Sequence, residues 1–213
     1  ENRSAYTNVA RPSSRTAVKT AAKPITEADV LAAQDAWASA IKLISKVYAE
    51  KGDFVGAAAT AAGELYGYGH GNVLFKPTKA AEVPFRPTPE EAMSYFVGPD
   101  AVANGYAEDH GFAINGGKGW SRVVFDNHQI DLNGNTAIAM GNYYFTCATT
   151  GAVAQVEYTF GYKRCDDGKV RIFLHHSSVP YNPAPARPAD ALQPISEAEV
   201  RAAQANWANS IAK

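Results

Sequence analysis

WSRVVFDNHQIDLNGNTAIAMGNYYFTC (residues 120–147) and VAQVEYTFGYKRCDDGKVRIFLHHSS (residues 153–178) hold most of the β-forming residues of this chain. Valine, isoleucine, threonine and aromatic side chains crowd four runs, near 120–130, 136–147, 153–163 and 169–178. Such side chains suit a pleated, half-buried surface. Between the runs stand Asn133-Gly134, Thr150-Gly151 and Asp167-Gly168, pairs that readily adopt the left-handed backbone a hairpin needs. The expectation is a four-strand antiparallel meander.

Upstream the period changes from two to that of a helix. Thr26 and Asp29 have capping-box spacing, and apolar residues follow at Val30, Ala33, Trp37, Ile41, Ile44 and Tyr48, one face of a long helix. An alanine-rich helix is predicted from about Asp53 to Tyr66, ended by Gly67, Gly69 and Gly71. Asn72 to Lys76 reads as a strand closed by Pro77. Thr88-Pro89-Glu90-Glu91 starts a third helix that carries Met93, Tyr95 and Phe96 and stops near Pro99. Helices followed by a meander make an α+β fold. The expected form is a cone, a strongly bent antiparallel sheet wrapped around the long N-terminal helix. The mouth of such a cone suits a small ligand.

The first helix recurs. Pro24-Ile25-Thr26-Glu27-Ala28-Asp29-Val30 matches Pro194-Ile195-Ser196-Glu197-Ala198-Glu199-Val200, and Trp37 and Ile41 match Trp207 and Ile211 at a constant offset of 170. Ten of the eighteen positions from Ile25 to Lys42 are identical to their partners, including the Trp, which marks a repeat rather than two unrelated helices. The boundaries follow: 1–23 a linker or N-terminal extension, 24–181 one repeat, 182–193 a Pro/Ala-rich linker, and 194–213 the first helix of the next repeat. A longer parent protein is expected.

Bulk properties exclude several classes of partner. Of 213 residues 46% are hydrophobic and the formal net charge is -1, so nothing recommends nucleic acid or an anionic membrane surface. The apolar runs are too short to span a bilayer. Cys147 and Cys165 offer neither a disulfide framework nor zinc-ligand spacing; they read as reduced, part-buried thiols.

The last strand ends Leu174-His175-His176-Ser177-Ser178. Alternation groups His176 and Ser178 with Ile172 and Leu174, and groups His175 and Ser177 with Arg171 and Phe173. Only one pair can look into the cone, and a single β-bulge would exchange them. The expectation is that His176 and Ser178 face inward, with imidazole as proton acceptor. Satisfied polar residues at a strand end are the plainer alternative. Adjacent strand histidines cannot grip one ion, and His70, His110 and His128 are scattered, so no metal ligands are assigned. The glycine-rich stretches 67–71 and 115–119 do not match a phosphate loop.

The capped helix with Trp37, the stretch Val73-Leu74-Phe75-Lys76-Pro77-Thr78 and the ending His175-His176-Ser177-Ser178-x-Pro180 together resemble the iota-class carbonic anhydrases. These are tandem-repeat proteins of algae and bacteria, with a nuclear transport factor 2-like (cystatin-like) fold similar to the association domain of calcium/calmodulin-dependent kinase II. The resemblance spans Pro24 to Pro180. Where the kinase hub points arginines into its pocket, His176 and Tyr143 stand here. The resemblance implies reversible hydration of carbon dioxide to bicarbonate. His176, Ser178, Thr78 and Tyr95 would be the catalytic residues, with Tyr143 and His175 as substrate contacts. No cofactor is expected, with manganese or zinc left open. A homodimer or pairing with neighbouring repeats, and a chloroplast address, follow from the same resemblance. Two other classes compete: a non-catalytic dimerising or assembly domain, and a pocket isomerase or cyclase using an Asp–His pair, with Asp109 or Asp131 as the acid.

Overall fold

Thr26 opens α1 (Glu27–Ala49) with a complete capping box, its side chain receiving the Asp29 backbone N–H while Asp29 reaches back. The computed structural model describes residues 23–182 and 196–211; apart from Lys23 and Asn182, the expected linkers lie outside these. Asp53 caps α2 (Phe54–Leu65), and a second capping box, Thr88 with Glu91, starts α3 (Pro89–Val97). The strands are β1 (Leu74–Lys76), β2 (Trp120–Asn133), β3 (Thr136–Cys147), β4 (Val153–Arg164) and β5 (Val170–Ser178).

One sheet holds all five strands in the order β1-β5-β4-β3-β2. The meander is antiparallel as expected, whereas β1 pairs with β5 in parallel. Gly134, Gly151 and Gly168 all take positive φ, the conformation the three hairpin signals imply.

The inner face of the sheet receives α1. Trp37 is 1% exposed and its ring meets Phe125, Phe145, Phe160 and His175 edge-on and Tyr143 at a tilt. Edge-to-face packing is the favoured geometry for aromatic quadrupoles. Val30, Ile41 and Ile44 extend the same buried stripe. Gln34, also buried, exchanges two 2.8 Å amide hydrogen bonds with Asn127.

Three irregularities break the strand pairing, the first at Ser121 near the start of β2. In β2 the pairing shifts between Asn127 and Gln129, leaving His128 unpaired, and Gly141 stands opposite; a Cβ there would lie 2.7 Å from the His128 nitrogen. In β5 the register runs from Leu174 opposite Gly161 directly to Ile172 opposite Tyr162. Phe173 is the extra residue, and a Cβ on Gly161 would meet its ring at 2.7 Å. A bulge of this kind resets side-chain parity. Ile172 is buried, and so are His175 and Ser177.

The chain divides into two units after Pro180. In the second, α4 (Glu197–Ile211) shows Val200, Trp207 and Ile211 exposed, at 39%, 68% and 66%. Their counterparts in α1, Val30, Trp37 and Ile41, are buried.

Candidate active site

The β5 bulge corrects the expected orientation of the strand ending. His176 and Ser178 point to the outer face, where His176 is exposed and Ser178 donates to Glu157 at 3.0 Å. They border a shallow outer groove with His128, Asn142 and Thr159. His175 and Ser177 turn inward, 3% and 1% exposed. Uninterrupted alternation from Ile172 would have placed the pairs the other way round.

Inside, His175 is held at both ring nitrogens. Its Nδ1 lies 2.8 Å from the Tyr66 hydroxyl and its Nε2 lies 2.9 Å from the Ser177 hydroxyl. Ser177 makes a short hydrogen bond to the Tyr143 hydroxyl, which also lies 3.5 Å from Nε2. Tyr66 receives the indole N–H of Trp37 at 3.0 Å. Phe75 stacks on the imidazole with ring centres 4.7 Å apart, and Phe160 meets it edge-on at 4.0 Å.

This apolar cage decides the charge of the imidazole. Burial, with the neighbouring His176 adding to it, holds His175 well below the usual 6.5. The ring is therefore neutral at pH 7, with one N–H and one lone pair. Burial also pushes the Tyr143 hydroxyl up, outweighing the Ser177 and Thr78 hydroxyls that would lower it. Tyr143 remains a protonated phenol.

Thr78 and Tyr95 connect this set to a cavity of about 220 Å³, also lined by His110, Phe112, Trp120, Phe145 and Val156. Tyr95 is buried, and its hydroxyl makes no full hydrogen bond among the described residues. Thr78 is nonetheless near enough to act on it, and burial pushes the Tyr95 hydroxyl up to about 12. A buried, protonated hydroxyl without a firm protein partner is suited to a ligand or water. Thr78 thus acts on both hydroxyls, lowering Tyr95 and Tyr143 against the effect of burial.

A buried ion-pair network fixes the cavity wall. Arg86, 0% exposed, grips Asp109 with two hydrogen bonds of 3.1 and 3.0 Å and reaches Glu108 at 3.3 Å. Ser94 on α3 donates to Asp109 at 2.6 Å. Glu108 accepts the backbone N–H groups of Ala81, Glu82 and Val83, and these three bonds hold its carboxyl down to about 2. The loop that carries Thr78 is thereby tied to the one that carries His110.

Of the residues picked from sequence, Thr78, Tyr95, Tyr143 and His175 come together. Ser177 and Tyr66 join them without having been singled out. Gly161 inside a strand pattern was the available sign of the bulge. The Asp–His pair of an isomerase is not formed: Asp109 is engaged by Arg86 and Ser94, and Asp131 lies exposed on β2. Among the described residues, no three His, Cys, Asp or Glu side chains cluster as metal ligands.

Comparison with known proteins adds independent findings. The family model described as metal-independent carbonic anhydrase matches residues 28–179. A protein of that description from Nostoc sp. (strain PCC 7120) is 43% identical over 165 residues, covering 75% of this chain and 76% of its own length. A cyanobacterial iota-carbonic anhydrase, whose crystal structure was solved as a complex with bicarbonate, is 40% identical with a TM-score of 0.69. That match covers 75% of this chain and 95% of the other.

Proposed function

This chain belongs to the metal-independent carbonic anhydrases, and from that premise we propose that carbon dioxide and bicarbonate interconvert in the cavity between Thr78, Tyr95 and the Tyr143–Ser177–His175 set. The observation that carries the assignment is the buried hydroxyl of Tyr95, which lines the cavity beside Thr78 and has no firm partner of its own. Apolar walls from Phe112, Phe145 and Val156 suit carbon dioxide, and the hydroxyls suit water and the anion.

In the hydration direction, water oxygen attacks the carbon of CO2, and one C=O bond becomes a C–O single bond carrying the new charge. Hydroxyl donors fixed in a low-dielectric pocket stabilise that charge without reorganising. The water proton leaves through hydrogen-bonded water toward His110, which is exposed at the cavity wall. A metal-bound water has its pKa lowered from about 15.7 to about 7. Here orientation and hydrogen bonding supply the acceleration instead, so turnover below that of zinc enzymes is expected.

Stopped-flow hydration with a pH indicator, run with and without a strong chelator, tests the reading. Activity should survive chelation and fall about 100-fold or more in Thr78→Val and Tyr95→Phe. Wild-type rates in both variants, or complete loss on chelation, would overturn the assignment.

The second unit supports a tandem arrangement. α4 repeats the α1 pattern but leaves its Trp exposed, so it is read as the opening helix of a further domain. The outer sheet face, with Ile138, Met140 and Leu74 exposed, is the surface assigned to a homodimer or to pairing between repeats. Sedimentation of the chain with Ile138→Lys and Met140→Glu should shift any dimer to monomer; an unchanged dimer would place the contact elsewhere.

A further inference from the structure

Five buried polar groups form one chain: Trp37 Nε1, Tyr66 Oη, His175, Ser177 Oγ and Tyr143 Oη. An indole nitrogen donates and never accepts. Trp37 therefore occupies the Tyr66 oxygen as acceptor at 3.0 Å. Tyr66 has one proton to place, and the other group its hydroxyl meets among the described residues is His175 Nδ1 at 2.8 Å. If Nδ1 carried a proton too, two donors would crowd one oxygen, and the Tyr66 proton would lack an acceptor in a site 3% exposed. An unmade buried hydrogen bond costs about 1–3 kcal/mol. The order is thus fixed from the far end. Tyr66 donates to Nδ1, Nε2 holds the imidazole proton and donates to Ser177, and Ser177 donates to Tyr143. The phenol proton of Tyr143 is left to point toward Thr78 and the cavity.

We infer that Trp37 is a positioning residue that sets the His175 proton on Nε2 and so orients the whole relay with its donor end at the cavity. Its catalytic meaning rests on the function proposed above; the tautomer itself does not. Through Thr78, which lines the cavity, the chain then acts on the substrate as a donor, suited to charge growing on a CO2 oxygen and to bound bicarbonate. His175 has no lone pair free on Nε2 to act as base toward Ser177. The proton of the attacking water must go elsewhere, which agrees with an exit past His110. None of the five relay groups lines the cavity itself; Thr78 does, so the influence of Trp37 and Tyr66 passes through His175, Ser177 and Tyr143 to Thr78.

Nitrogen-15 NMR of the intact chain reads the tautomer directly, with the His175 signals assigned by their loss in His175→Gln. The wild type should show a protonated, pyrrole-type Nε2 and a bare, pyridine-type Nδ1. Trp37→Phe keeps an aromatic ring and removes the N–H. Because the Tyr66 oxygen then faces a single outside donor in the other tautomer, part of that tautomer's penalty is relieved and the Nδ1-protonated form should rise about 5-fold. Hydration should slow in kcat with KM little changed. A wild-type imidazole protonated on Nδ1 overturns the inference, and so does an unchanged tautomer in a folded Trp37→Phe; if that variant fails to fold, the wild-type spectrum alone decides. An Nε2-protonated ring in a chain without CO2 hydration would sink the functional proposal and leave this one standing.

Discussion

Two His–Ser pairs stand one residue apart on β5, and their surroundings could hardly differ more. His175 and Ser177 are buried among Phe75, Phe160, Tyr66 and Tyr143, with hydrogen bonds to the two tyrosines and to each other. His176 and Ser178 face an open groove, where Ser178 is spent on Glu157. The residue types are the same. What separates the pairs is desolvation, which keeps the inner imidazole neutral and strengthens each hydrogen bond around it. Chemistry here is a property of the face, and the face is chosen by one extra residue, Phe173.

Exchanging the pairs by mutation gives the largest contrast. Ser177→Ala should lower kcat/KM about 100-fold or more, by analogy with removal of one fixed donor from an anion site, while Ser178→Ala should stay within about twofold. Equal effects in stopped-flow assays would erase the distinction between the faces.

A second route attacks the bulge. A side chain at Gly161 collides with Phe173 and with Leu174 Cβ, so Gly161→Val should cost about 1–3 kcal/mol in denaturant unfolding. It should also reduce hydration, because His175 and Ser177 lose their inward register. Full activity and stability in this variant would mean the bulge does not select the face.

The inner pair also ties stability to pH. The folded His175 binds its proton at lower pH than the unfolded chain does, near 6.5. Its contribution to stability is therefore complete above about 6.5 and declines as pH falls below it, by up to about 1.4 kcal/mol per pH unit while the folded ring stays neutral. His175→Gln should flatten this slope in unfolding curves from pH 7 to 5; an unchanged slope would mean the buried ring is not its source. Smallest of all, diethyl pyrocarbonate should acylate His176 well ahead of His175, read by mass spectrometry. Rapid labelling of His175 would contradict its burial.

Much of the fold was legible because its signals are local. The Thr26 and Thr88 capping boxes, the Trp37 stripe and the three Gly-bearing hairpins each act within a few residues, and each stands where the sequence put it. The inward pair was not legible, since strict alternation fails at Phe173 and only Gly161 hints at it. The Arg86–Asp109–Ser94 network joins three separate stretches, and no spacing rule anticipates such a contact. Thr78 and Tyr95 were reached through family resemblance, while Tyr66, at the end of α2, carried no motif at all.

The rims of the sheet have a consequence for life in a crowded polypeptide. β1 is three residues long and stops at Pro77, and β2, the opposite rim, is interrupted at Ser121 and His128 and studded with Arg122, Asp126 and Asp131. Neither offers the long flat hydrogen-bonding template through which sheets recruit foreign strands. During synthesis a sheet with unpaired edges is exposed to passing strands, and fusion with them is a standing danger. Ragged borders let this sheet complete itself without taking in a stranger.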